Sequence, residues 1–241
     1  MVNALREILA YTQQLGFLEL VKVEGTTSST DLSSIATDQS VVLNSKFNEP
    51  VSELEGTFGL HDLGRLNTIL NIPEYRNGAI VTITKMDVNG VDVPTGISFQ
   101  NANKDFSNSY RFMSKEIVES QLPTRTRKNI NWDISFTPTQ NSIQRLKFQS
   151  QAASEGTFST RVANNNIYFS LGDPSTHSGE FVFASDVKGN LTVSRDWPLS
   201  HIQSILGLTG DKVMEISDMG VIQITVTSCL AVHQYTVLSS V

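Results

Sequence analysis

Residues 198–208 read Pro-Leu-Ser-His-Ile-Gln-Ser-Ile-Leu-Gly-Leu, and their apolar positions after the proline are Leu199, Ile202, Ile205, Leu206 and Leu208. The same spacing recurs at Leu63, Leu66, Ile69, Leu70 and Ile72, each 136 residues earlier. Steps of three and four residues keep side chains on one face of a 3.6-residue helix. Two amphipathic helices are therefore predicted, over 60–70 and 198–206. Pro73 stops the first, because a proline cannot donate to the helical ladder. Gly207 and Gly210 end the second. A pattern that returns at a fixed distance, with a strand after each copy, points to a duplicated unit.

The elements on either side support that reading. Leu5, Ile8, Leu9, Thr12 and Leu15 predict a helix over 2–15, with Asn3 as its cap and Gly16 as its stop. In the second half, Thr137 as N-cap and Pro138 at the first turn predict a helix running to about residue 153, with apolar contacts from Ile143, Leu146 and Phe148. Strands are predicted over 17–23, 31–36, 40–47, 79–86 and 109–113, with Asn89-Gly90 as a hairpin turn. Shorter pieces fall at 53–58, 91–94 and 97–99. Later strands are predicted over 130–136, 156–163, 166–171, 180–184, 189–194, 212–217, 221–227 and 231–238. Residues 114–129 are polar, contain Pro123 and read as a connector. The expected organisation is one domain over 1–113, a connector over 114–129 and a second domain over 130–241. Each domain is an α+β unit of helix, strands, helix and strands.

Composition sets limits on function. The 241 residues are 39% hydrophobic and 17% charged, with a formal net charge of -6. That length suits two domains of about 120 residues with real cores, and it excludes wholesale disorder. No apolar run approaches the roughly 18 residues needed to span a bilayer. The N-terminal residues lack the pattern of a signal peptide, so a cytoplasmic location is expected. The lone Cys229 permits no internal disulfide and is expected to be a buried structural thiol. Asn190-Leu191-Thr192 matches a glycosylation sequon, but nothing else suggests secretion.

No catalytic constellation emerges. His61, His177, His201 and His233 are scattered and form no metal-binding pair. Gly56, Gly59 and Gly64 are not followed by the Lys-Ser/Thr of a phosphate loop. There is no Gly-x-Ser-x-Gly elbow. Glu53 and Glu55 read as a solvated strand face. The expectation is a non-enzyme with no metal and no cofactor, which shifts weight to binding or architecture.

The charges are unevenly placed. Residues 121–150 hold Arg125, Arg127, Lys128, Arg145 and Lys147 against Asp133 alone, whereas residues 1–60 hold three cations against eight acids. Arg6, Arg65, Arg145 and Lys147 fall on predicted helices, and the fourth helix offers only His201. Isolated cations on polar helix faces suit loose phosphate contact and not the reading of bases.

A duplicated two-helix unit with many strands and helix-borne cations in an acidic chain resembles the sliding clamps, the processivity factors of DNA polymerases. The likeness is carried by 198–208 with the strands over 211–217 and 221–226, and by the closing run Ala-Val-His-Gln-Tyr-Thr-Val-Leu at 231–238. It is carried also by Leu-His-Asp-Leu-Gly-Arg-Leu-Asn-Thr-Ile-Leu at 60–70 and Leu-Ser-Ser-Ile at 32–35. Length and layout are most similar to the clamps of T-even-type tailed phages. The proliferating-cell-nuclear-antigen family of eukaryotes and archaea is also similar. Residues 87–106 and the connector depart most from the pattern.

The resemblance implies a DNA-clamp fold of two similar domains, each with two helices on antiparallel sheets. It implies a homotrimeric ring that encircles duplex DNA in the cytoplasm (the host's, if viral) and tethers a DNA polymerase after placement by a clamp loader. It implies a pore faced by Arg6, Arg65, Arg145 and Lys147, with Arg125, Arg127 and Lys128 nearby. A partner-peptide pocket would draw on Ile35, Val41, Leu122, Pro123 and Leu238. Two other readings stay open: a structural virion or tail protein, and an enzyme with a dispersed site.

Overall fold

A computed structural model describes residues 1–123, 129–153, 156–173 and 175–240. The chain forms two compact units. The first comprises Met1–Gln39, Leu43–Thr126 and Cys229–His233; the second comprises Ser40–Val42, Arg127–Ser228 and Gln234–Val241.

In the first unit, α1 (Val2–Ala10) is followed by β1 (Val21–Gly25), β2 (Thr30–Ile35), β3 (Val41–Phe47, whose first two residues count with the second unit) and β4 (Gly56–Leu60). Then come α2 (Leu63–Leu70) and the strands β5 (Ile80–Val88), β6 (Val91–Gln100) and β7 (Ser107–Arg111). A further helix, α3 (Lys115–Gln121), follows. The first four strands lie in the order β3-β2-β1-β4, and β5-β6-β7 form a separate antiparallel meander. Ala4, Leu5, Ile8 and Leu9 of α1 and Leu63, Leu66, Ile69 and Leu70 of α2 close over Val21, Val23, Leu32, Phe58 and Leu60. This is the burial that the helical spacing dictates, since an amphipathic helix gains most of its stability from its apolar face.

The second unit repeats the plan. It holds β8 (Ile134–Phe136), α4 (Gln140–Ala152), β9 (Thr157–Ala163), β10 (Asn166–Gly172), β11 (Ser178–Ala184) and the short β12 (Lys188–Gly189). It continues with β13 (Asp196–Pro198), α5 (Leu199–Leu206), β14 (Asp211–Ser217), β15 (Val221–Thr227) and β16 (Ala231–Leu238, whose first three residues count with the first unit). The order β11-β10-β9-β13 reproduces β3-β2-β1-β4 strand for strand, and β14-β15-β16 is again a meander after the second helix. In α5, Leu199, Ile202, Ile205 and Leu206 are buried, at the repeat positions of the buried face of α2. The duplication is therefore one of topology as well as of spacing.

Several local expectations are corrected. The helix α1 ends at Ala10, and a separate 3-10 turn spans Gln13–Leu15 before Gly16, whose φ of 80° only glycine adopts freely. Its N-cap is Met1 and not Asn3. The helix α4 starts two residues later than Thr137 predicts. Thr139 is the cap: its hydroxyl accepts from the Ser142 amide at 3.1 Å, and the Ser142 hydroxyl accepts from the Thr139 amide at 3.0 Å. That reciprocal box satisfies two amides at once. Phe148 is not a core contact of α4 but is 65% exposed. Residues 189–194 do not form the predicted strand, because the amides of Thr192 and Val193 donate to the Asp218 carboxylate, at 2.9 and 3.3 Å. Cys229 is exposed, since β15 stops at Thr227 and the thiol sits in the turn that follows. The predicted Asn89-Gly90 hairpin is present, with φ of 55° and 81° at its two central residues and the Gly90 amide donating to Asp87. Residues 115–121 of the polar connector stretch are helical, because Val118 and Leu122 lie one turn apart and both are buried.

Candidate nucleic-acid interface

Each unit holds one pair of contacting helices, α1 with α2 and α4 with α5. In the second pair Gln203 bridges the helices, donating to the Ser150 hydroxyl at 2.6 Å and the Leu146 carbonyl at 3.4 Å. With their apolar faces committed to the sheets, these helices turn polar residues outward.

Arg6 projects from α1 between buried Leu5 and Ile8 and is exposed. Arg65 is exposed in the first turn of α2. That turn is set by Asp62, which holds the left-handed backbone (φ 51°) and accepts from the Arg65 amide at 3.2 Å. Lys147 is exposed on α4 beside buried Leu146. Arg145 is also exposed, but its guanidinium is held against the terminal strand β11. It lies 5.1 Å from the Phe181 ring centroid and donates to the Val182 carbonyl at 3.3 Å. The helix α5 contributes no Lys or Arg, and its His201 pairs with the Ser40 hydroxyl at 3.2 Å. Arg125, Arg127 and Lys128 lie outside the described residues.

These four helices contain one carboxylate, Glu7. It is turned inward, 12% exposed, with Oε1 3.0 Å from His233 Nε2. His233 is fully buried, pairs through Nδ1 with the Ser45 hydroxyl at 2.9 Å, and stacks on Tyr11 at 4.0 Å between centroids. The outer faces of the helices are thereby left with cations and neutral side chains. Sequence reasoning missed this pairing, because its partners are 226 residues apart and no local pattern links them.

The expected partner-pocket residues are divided between the units. In the first, Ile35 is half-buried, Leu122 is buried and Pro123 is exposed. In the second, Val41 is fully buried, while Leu238 is 46% exposed. Among the described residues no cluster of three or more His, Cys, Asp or Glu could hold a metal ion. No described helix is long and apolar enough to cross a membrane.

Two units of this topology, each with a helix pair on antiparallel strands, define the α+β DNA-clamp fold. Among solved structures, that of PCNA from Thermococcus kodakaraensis is similar to this chain. The TM-score is 0.70 at 10% sequence identity, over 98% of this chain and 97% of that one. At that identity the likeness is one of fold. No protein-family profile matches the sequence, and no curated protein matches it.

Proposed function

We propose that the protein is a sliding clamp. Three copies close a ring around duplex DNA and tether a replicative DNA polymerase, with a clamp loader placing the ring. The observation that carries the reading is electrostatic. The chain has 24 acids to 18 Lys and Arg, yet its two helix pairs carry four cations and one carboxylate, and that carboxylate faces inward. An acidic exterior repels phosphates, and a few exposed cations give a non-specific attraction without a base contact that would stop movement.

Arg6, Arg65 and Lys147 are the pore contacts in this reading. Arg145 belongs with them, but it also touches β11, an end strand of the sheet order. End strands with unpaired edges suit pairing between subunits, so a ring of identical subunits would also cover edges that otherwise invite aggregation. Arg125, Arg127 and Lys128 are further candidates for DNA contact. Ile35, Val41, Leu122, Pro123 and Leu238 are the candidates for a partner-peptide contact, of which Ile35, Pro123 and Leu238 are at least partly exposed. The location would be the cytoplasm, that of a host if the chain is viral, and no cofactor is called for.

The test joins solution mass to processive synthesis on primed circular DNA. The expected outcome is a discrete trimer that lengthens the products of its polymerase. The triple variant Arg6→Glu, Arg65→Glu, Lys147→Glu should stay trimeric and lose most of that stimulation. Arg145 is left out of the variant so that the edge of β11 is undisturbed. A monomer, or an open polymer such as a virion component forms, would sink the proposal.

A further inference from the structure

The outer face of α4 is a column of amides broken by one aromatic ring. Asn141, Gln144, Phe148 and Gln151 follow at helical intervals and all are exposed. Ser142 and Leu146 occupy the buried side. Lys147 and Arg145 flank the column, and α4 contains no acid. At 65% exposure Phe148 is the most exposed of the large hydrophobic side chains described, and the only such exposed residue on the two helix pairs.

Lone apolar residues are ordinary on protein surfaces, so the setting decides what this one does. An apolar protein partner would call for a cluster, yet the helical neighbours of Phe148 are Gln144, Arg145, Gln151 and Ala152. Cations for phosphates, amides for base edges and a ring for stacking are the parts of a single-strand binding surface. In a duplex each base is covered above and below by its neighbours. An exposed phenyl ring therefore gains a stacking partner only from a base that is unpaired and turned out.

We infer that the outer face of α4 is a binding site for single-stranded DNA, with Phe148 stacking on an unpaired base and Lys147 on the adjacent phosphate. The inference rests on the clamp reading for bringing DNA to this helix, but its measurement needs no ring closure. Fluorescence anisotropy at low salt, with the whole protein, would compare labelled oligo(dT) with a hairpin duplex. Phe148→Ala should weaken oligo(dT) binding by about tenfold and leave duplex binding within about twofold. Phe148→Trp should restore oligo(dT) binding, and ultraviolet crosslinking should place the adduct on the Phe148 peptide. Phe148 is a surface residue on a helix, so the alanine variant is expected to fold.

Absence of oligo(dT) binding by the wild type would overturn the inference. So would equal binding by Phe148→Ala, an equal loss for duplex, or a crosslink elsewhere. The two proposals fail separately. Wild-type protein that stimulates a polymerase but binds oligo(dT) without Phe148 keeps the clamp and loses the site. Phe148-dependent oligo(dT) binding by a protein that never forms a trimer does the reverse.

Discussion

Arg161 of β9 shows how a single side chain ties three strands together. Its guanidinium donates to both carboxylate oxygens of Glu180 on β11, at 2.9 and 2.5 Å, and lies 4.1 Å from the Tyr168 ring centroid on β10. That guanidinium, with the Ser170 hydroxyl, holds the Glu180 carboxyl below its ordinary range. A carboxyl that ionises more readily folded than unfolded adds stability above its unfolded value, and loses it as pH falls through the folded value. Arg161→Gln should therefore lower the thermal midpoint at pH 7 by about 1–2 °C, since the pair is exposed. The gap to wild type should close at a second, more acidic pH that lies below the lowered folded value of Glu180. Equal gaps at both pH values would assign the loss to Tyr168 packing and not to the ion pair. Features at this scale were the least legible in the sequence. Thr137 followed by Pro138 reads as the cap on paper, but the reciprocal amide–hydroxyl bonds with Ser142 make Thr139 the cap. Cys229 sits in an apolar run and Phe148 on an amphipathic helix, yet one lies past a strand end and the other on the exposed face of its helix.

Elements were far more legible, because burial imposes periodicity. The buried residues of α2 and α5 are the residues that the repeated spacing marks, and β15 and β16 span the predicted 221–227 and 231–238. Legibility failed where side chains replace ladder bonds. Thr192 and Val193 give their amides to Asp218, so a run that alternates like a strand is not one. The repeat also makes a quantitative claim. Leu66 and Ile202 occupy the same repeat position, and both are fully buried. Leu66→Ala and Ile202→Ala should each cost about 2–5 kcal/mol, the range for emptying a buried aliphatic site. Denaturant melts of the two variants would check this. A small loss in one and a large loss in the other would mean that the two copies have diverged in how tightly they pack.

Under the proposed function, the property that matters for the whole molecule is linkage. A ring threaded by DNA stays on a closed circle even when salt removes its phosphate contacts, whereas a protein held by those contacts leaves any DNA as salt rises. Protein loaded onto a nicked circle should remain through a high-salt wash and should be lost when one cut makes the circle linear. Salt-sensitive retention on the circle would argue for ordinary surface binding. The first unit also carries a consequence for how the protein is made. Cys229–His233 belong to that unit, and the buried imidazole of His233 fills the space between Ser45, Glu7 and Tyr11. At the usual 5–20 residues per second, a ribosome needs roughly 5–20 seconds to travel from residue 126 to residue 233. Throughout that interval the nascent N-terminal half waits with an unfilled gap in its core. Completion of the first unit is therefore a late event of translation, timed by the arrival of a single strand.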